Sequence, residues 1–271
     1  MLATRALSFS YPDSPVLKDL TLDFSQYNVT GIIGANGCGK STLFMNLSGI
    51  LRPQNGEVLW NGIPLDYSKK GLRALRQNVV TVFQDPDQQI FYTDVASDIA
   101  FSLRNLGVDE AEIKRRTELA LQMVDARHFR DKPIQCLSFG QKKRVAIAGA
   151  IVMESDYLLL DEPTAGLDPS GRRQMLDIIS TIVAQGKHIV ISSHDIDLIY
   201  QICDGIYVLS DGNIVSSGTP QQVFVQREML EKAGLEQPWL AKLHSEAGLP
   251  LCKTEQELVS ILRGYDMSKI I

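Results

Sequence analysis

Eight consecutive residues, Gly34-Ala35-Asn36-Gly37-Cys38-Gly39-Lys40-Ser41, fit the spacing G-x-x-x-x-G-K-[ST] without a gap, and they restrict the folds open to this chain more than any other segment. The apolar run Val29 to Ile33 precedes them, and a helical pattern begins near Lys40. Strand, glycine-rich turn and helix in that order let the backbone wrap closely, so that successive N–H groups and a helix N-terminus point at phosphate oxygens. Lys40 then supplies a positive charge facing β- and γ-phosphates and Ser41 a hydroxyl for Mg²⁺, with Thr42 beside them in the same site.

The remaining pattern agrees with an α/β chain. Ala6 to Tyr11, Leu20 to Phe24 and Glu57 to Trp60 read as strands, the last followed by an Asn61-Gly62 turn. Val79 to Phe83, Tyr157 to Leu160 and His188 to Ser192 are compact apolar runs, as expected of parallel strands buried on both faces. A helix is predicted from Pro169 to Gln185, with Asp168 as its cap, Met175, Ile178, Ile179, Ile182 and Val183 at helical spacing, and Gly186 just past its end. From Asp94 to Met153 the pattern is almost wholly helical and reads as a subdomain inserted between two sheet strands. A hairpin at Asp211-Gly212 and a short helix opened by Thr219-Pro220 lead to a helical tail beginning near Val225, in which Thr254 and Glu257 form a capping box. The expected domains are 1–224, with the helical insertion at about 85–153, and a helical extension over 225–271.

Charge and cysteine use narrow the partners. Lys plus Arg number 27 against 32 Asp plus Glu, a net charge of -5, which gives no general attraction for nucleic acid. Cys38, Cys136, Cys203 and Cys252 lie far apart, which suits reduced thiols better than a disulfide frame or a zinc site. No secretory signal is visible at the N-terminus, and the longest apolar stretch, Val145 to Met153, is far below the roughly 20 residues that span a bilayer. Any membrane role is therefore expected to be peripheral.

Leu158-Leu159-Leu160-Asp161-Glu162-Pro163 places two acids where an apolar strand ends, which suits a nucleotide's metal and its attacking water. Asp161 is the candidate for holding Mg²⁺ and Glu162 the candidate general base. These acids and the phosphate loop would also serve a kinase, a GTPase or a helicase. Leu137-Ser138-Phe139-Gly140-Gln141, ahead of an apolar helix, resembles the signature of ATP-binding-cassette (ABC) proteins. The other motifs of that family then match in order: Tyr11 as the adenine-stacking aromatic, Gln84 as the glutamine loop, Ala165-Gly166-Leu167-Asp168 as the D-loop, and His194 as the switch histidine.

The resemblance implies a RecA-like P-loop core with an antiparallel β subdomain and an inserted helical subdomain, with ATP and Mg²⁺ as cofactors. It implies a homodimer in which ATP lies between one copy's phosphate loop and the other's signature, reached across the interface by Ser138 and the Gly140 N–H. Glu162, His194 and Gln84 would be the catalytic group, with Ser41, Gln84 and Asp161 around the metal and Asp168 in the D-loop. Phe139 departs from the usual glycine of the signature, and Cys38 places a thiol in the loop.

Asp85-Pro86-Asp87-Gln88-Gln89-Ile90-Phe91 resembles the segment that marks ATPases of energy-coupling-factor importers, and Phe91 through Gly107 is most similar to those serving cobalt uptake. The resemblance implies an integral membrane coupling subunit docked at Asp85 to Phe91, with the acids receiving basic residues, a substrate-capture membrane subunit served indirectly, and a place on the cytoplasmic face of the cell membrane. Nickel or a vitamin is the runner-up cargo, and a soluble ABC ATPase the runner-up class. The tail residues Leu230, Leu235, Trp239, Leu240 and Leu243 could pack on the cassette or on a second copy.

Overall fold

The computed structural model describes residues 1–12 and 14–264. It opens with a hairpin, β1 (Leu2–Tyr11) and β2 (Ser14–Asp23), followed by β3 (Val29–Ile33) and α1 (Lys40–Leu47). Next come β4 (Asn55–Trp60), β5 (Ile63–Pro64), α2 (Lys69–Asn78) and β6 (Val79–Val82). The helices α3 (Val95–Leu106), α4 (Glu110–Met123) and α5 (Phe139–Ile151) precede β7 (Tyr157–Asp161), α6 (Pro169–Ala184), β8 (His188–Ser192) and α7 (Ile196–Ile202). The chain continues through β9 (Gly205–Ser210), β10 (Asn213–Gly218), α8 (Pro220–Phe224), α9 (Arg227–Lys232), α10 (Trp239–Ala247) and α11 (Glu255–Gly264).

Two sheets organise these elements. An antiparallel sheet runs β2-β1-β4-β5, and a six-stranded sheet runs β10-β9-β3-β8-β7-β6. Within the second, β9, β3, β8, β7 and β6 are parallel, and β10 returns antiparallel through Asp211-Gly212. Both turn residues take positive φ, 48° and 80°, as a two-residue hairpin of right-handed twist requires. All five residues of β3 and of β7 are buried, which is why their sequences run apolar without alternation.

One apolar core lies between α1 and the antiparallel sheet, joining Leu7, Phe9 and Phe24 to Leu43 and Phe44. The other is continuous from the helical insertion (Ile99, Leu121, Val145) through the parallel sheet to the tail (Leu230, Leu240, Leu258). The tail therefore packs on the cassette through Leu230, Leu235 and Leu240, while Leu243 is partly buried against the same core and Trp239 is exposed. The expected extension over 225–271 is described as far as 264.

β1 and β2 begin earlier than their local β-rich runs, because pairing with neighbouring strands, with three register shifts between them, extends them. The expected helical stretch between Asp94 and Met153 is broken from Val124 to Ser138 apart from two short 3-10 turns, with Asp125 at φ 52° and Pro133 inside the break. Helix α2 has no counterpart among the expected elements. Its buried face is a single leucine, Leu75, and Ser68 caps it by accepting from the Gly71 N–H.

Candidate functional site

The register of the parallel sheet assembles the site. Ser192 of β8 lies beside Ile32 of β3 on one side and Asp161 of β7 on the other, so the carboxyl ends of three adjacent strands come level. The order of the sheet changes direction around β3, and the crevice beyond such strand ends is where α/β sheets bind ligands.

Beyond Ile33 the glycine-rich loop turns into α1. Gly39 sits at φ 113°, and a Cβ there would meet Leu17 Cδ2 at 2.8 Å, so β2 closes down on the loop and only glycine fits. Lys40 is 7% exposed, and its ammonium donates to the carbonyls of Gly34 (2.7 Å) and Ala35 (3.1 Å), curling over the loop. Ala35, Asn36 and Gly37 are exposed, Ser41 is exposed and Thr42 buried at the start of α1. Burial pushes the Cys38 thiol up, against the opposing pull of the Lys40 charge. Tyr11 ends β1 half-exposed and braced edge-on by Phe9, with ring centroids 5.1 Å apart.

The two acids differ in setting. Asp161 closes β7 as a buried carboxylate and accepts from the Ser192 hydroxyl. Glu162 lies just beyond at φ 47°, the one buried non-glycine residue with positive φ among the described residues. Its N–H donates to the Ser192 carbonyl (3.1 Å) and hydroxyl (3.2 Å), and its carboxylate Oε2 lies 2.8 Å from His194 Nδ1. The Glu162 side chain is 8% exposed against 62% for His194, so the imidazole is the outward member of the pair. The Ser41 hydroxyl, Asp161 carboxylate and Gln84 amide are hard oxygen donors, and a buried carboxylate is favoured by a nearby cation. The donor set therefore fits Mg²⁺.

Gln84 lies exposed in the bend after β6. The loop that carries it is pinned by Gln89, whose amide bonds the Phe83 N–H (3.2 Å) and the Thr81 carbonyl (3.3 Å) along the free edge of β6. The carboxylates of this segment, expected to be open to a basic partner, are engaged internally: Asp87 pairs with Lys142 at 2.7 Å, and Asp85 accepts from the Asp87 N–H. Phe91, 74% exposed, instead stands out beside Tyr92 and Phe101.

The signature opens α5. Ser138 caps the helix, accepting from the Gln141 N–H, while Gln141 Oε1 accepts from the Ser138 N–H. Phe139 falls in the first helical turn with ordinary helical backbone, so the residue that replaces glycine meets no strain here. Its ring lies on the D-loop, 2.9 Å from where a Gly166 Cβ would be. Ser138, Phe139, Gly140 and Gln141 line a cavity of about 430 Å³ with Gly166, Leu167 and Asp168, and no phosphate-loop residue borders it. Leu137 is buried behind the cap. Lys40, Asp161, Glu162 and His194 thus follow one set of strand ends, while Ser138 and Gly140 of the signature border a separate cavity with the D-loop.

The family model for ABC transporters matches residues 17–165. The chain belongs to the ABC transporter family. It is 71% identical over 257 residues to a cobalt import ATP-binding protein, CbiO, of Salmonella paratyphi A, covering 95% of each chain. It is 42% identical over 245 residues to an energy-coupling factor transporter ATP-binding protein, EcfA3, of Clostridium perfringens, covering 90% of this chain and 86% of that one. Its fold matches a solved structure of CbiO1 of Clostridium perfringens, described as part of the ABC transporter complex CbiONQ, with TM-score 0.76, 43% identity, and coverage of 89% and 97% of the two chains. No helix among the described residues is long and apolar enough to cross a membrane.

Three side chains that belong to none of the motifs brace the site of this ABC chain. Ser192 bridges the two acids, Arg172 pairs with Asp195 at the start of α7, and Lys143 sends its ammonium to the Glu162 carbonyl at 2.7 Å. Lys143 was legible in part: it lies four residues after Phe139, in line with the buried Ala146, Ile147 and Ala150, so helical spacing turns it inward. Burial brings its ammonium down to about 8, while Glu162, Asp161 and Asp85 pull the other way.

Proposed function

We propose that this chain is the ATP-hydrolysing subunit of an energy-coupling-factor importer for cobalt ions, working as a dimer on the cytoplasmic face of the cell membrane. Residues 1–224 form the ATPase and the described residues 225–264 the helical extension. The observation that carries the reading is the placement of the motifs: the phosphate loop, the acids Asp161 and Glu162, and His194 paired to Glu162 follow the carboxyl ends of the adjacent strands β3, β7 and β8, while the signature of the same chain borders its own D-loop. A second copy placed head to tail would bring its Ser138 hydroxyl and Gly140 N–H, at a helix N-terminus, to the terminal phosphate.

Within that site the exposed face of Tyr11 stacks the adenine, and the N–H groups of the loop, from Gly34 through Thr42, cradle the phosphates with the Lys40 ammonium. Ser41, Gln84 and Asp161 hold Mg²⁺, which neutralises charge on the phosphate oxygens when bound. The Glu162 carboxylate oxygen not paired with His194 accepts the proton of the attacking water, and His194, in the doubly protonated form that donates from both ring nitrogens, holds Oε2 through Nδ1–H while its outer N–H bonds the γ-phosphate. Asp168 caps α6 by accepting from the Gly171 N–H at 2.7 Å, which sets the D-loop that lies along the dimer interface. ATP joins the two copies because its charge is met only when both close, and its loss on hydrolysis releases them.

The membrane coupling subunit docks at the Asp85–Phe91 region, with Phe91 as the apolar anchor. A groove of about 600 Å³ between α2 and α3, lined by Leu72, Phe101, Lys69, Arg73 and Arg76, continues that surface. The substrate-capture subunit is served indirectly. Cobalt rests on the 71% identity to a protein named for cobalt import, with nickel or a vitamin as the runner-up. Uptake of labelled cobalt and nickel by cells carrying this chain with its neighbouring membrane subunits tests it. Cobalt accumulation that Glu162→Gln abolishes is expected; accumulation of nickel alone would overturn the cargo, and accumulation indifferent to Glu162→Gln would overturn the role.

A further inference from the structure

Among the described residues only two lysines are buried, Lys40 and Lys143. The first faces the phosphates. The second, 3% exposed, lies in α5 one turn beyond the signature, its Nζ 2.7 Å from the Glu162 carbonyl and 5.4 Å from the Phe139 ring centroid. Desolvating an ammonium is expensive, and a methionine or leucine of the same volume would serve packing better. A buried lysine held by one backbone carbonyl therefore points to a task at that carbonyl.

The carbonyl belongs to the residue whose backbone most needs holding. A left-handed φ costs an L-residue roughly 1–2 kcal/mol and persists only where neighbours impose it. The six other non-glycine residues with positive φ are all exposed, Ala6 and Asp19 at irregularities of β1 and β2 and the other four in turns, and Glu162 alone is buried. Its peptide is gripped on both sides, the N–H by Ser192 and the C=O by Lys143, and its side chain then reaches His194 at 2.8 Å. Phe139 lies over the ammonium, so the aromatic that replaces the signature glycine also shields this grip from water.

We propose that Lys143 is a positioning residue, clamping the Glu162 carbonyl so that the left-handed backbone aims the carboxylate at His194 and at the attacking water. The proposal rests on the reading of Glu162 as the base. It acts through that carboxylate, forms no hydrogen bond with the phosphate loop among the described residues, and so bears on turnover rather than on nucleotide binding.

A double-mutant cycle on the full-length protein tests it, following phosphate release at saturating MgATP. Lys143→Met is expected to lower kcat about 10- to 100-fold, the scale on which a misplacement of about 1 Å acts, with KM for MgATP within about 2-fold. In the Glu162→Gln background, where the carboxylate is already gone, Lys143→Met should cost nothing further, whereas a merely structural lysine would slow both backgrounds alike. Lys143→Arg, which keeps the stem and a donor, should recover part of the loss. If the methionine variant does not fold, Lys143→Ser, whose hydroxyl admits water beside the carbonyl without reaching it, is read in the same way. A folded variant with kcat within 2-fold of the native protein, or an equal loss in both backgrounds, overturns the proposal. Native turnover in Glu162→Gln alone would instead remove the base and leave Lys143 with nothing to position.

Discussion

Replacing Lys40 by methionine keeps the stem and deletes the ammonium, and the structure sets the size of the consequence. Each contact between an ammonium and a phosphate at about 4 Å contributes about 4 kcal/mol at an effective dielectric of about 20. The ammonium does not start free, however, because it already donates to the Gly34 carbonyl at 2.7 Å and the Ala35 carbonyl at 3.1 Å. Surrendering those two bonds costs about 1.5 kcal/mol apiece, so contacts to the β- and γ-phosphates leave about 5 kcal/mol. Ala35, Asn36 and Gly37 are exposed, and screening in so open a loop removes about half of that. The expected penalty of about 2.5 kcal/mol corresponds to roughly 60-fold weaker MgATP binding. Calorimetric titration of the native and Lys40→Met proteins measures the ratio. Thermal unfolding without nucleotide should show only a modest loss of about 1–3 kcal/mol, since the Ala35 carbonyl is partly exposed and the buried Gly34 carbonyl alone is left without its donor. Weakening of less than about 3-fold, or a collapse of stability without nucleotide, would refute the assignment of this ammonium to the phosphates.

Three further outcomes follow from the same geometry. Because burial raises the Cys38 thiol, its thiolate is scarce at neutral pH, so alkylation should be slow near pH 7 and accelerate as pH rises past 9; mass spectrometry should find the exposed Cys136 labelled first, MgATP should protect Cys38, and inhibition that survives Cys38→Ser would contradict this. Gly39→Ala must place a Cβ 2.8 Å from Leu17 Cδ2 at φ 113°, which should cost about 2–4 kcal/mol and lower the melting temperature together with ATP affinity; an unchanged melting temperature would show that β2 yields freely. Truncation after Phe224 removes Leu230, Leu235, Leu240 and Leu258 from the shared core, so the shortened cassette should melt well below the full chain or aggregate in size-exclusion chromatography, and a melting temperature within about 2 °C of the full chain would show the tail to be dispensable for stability.

Local chemistry made much of this molecule legible before any coordinate. The phosphate loop could be found because strand, glycines, lysine and hydroxyl are contiguous, and β3 and β8 form over the residues their apolar runs mark. Asp168 caps α6, and the tail carries the reciprocal Thr254–Glu257 bonds that a capping box demands. Each of these rests on residues within a few positions of one another, where spacing translates directly into geometry.

What the sequence left open was decided by contacts between distant segments. The early start of β1 and β2 depends on partners across the antiparallel sheet, and α2 hides its one buried leucine in a polar stretch. Asp87 reads as an open acid until Lys142, 55 residues on, arrives beside it. The tail could have met a second copy, and it is the continuous apolar core that seats Leu230 and Leu240 on the cassette. Helical spacing turns Lys143 inward, but only the tertiary packing of α5 brings its ammonium to the Glu162 carbonyl, 19 residues on. Motifs encode chemistry in neighbouring residues, which one strand or one turn can present; the braces that orient that chemistry come from elements far apart in the chain, and their contacts exist only after the apolar cores have closed.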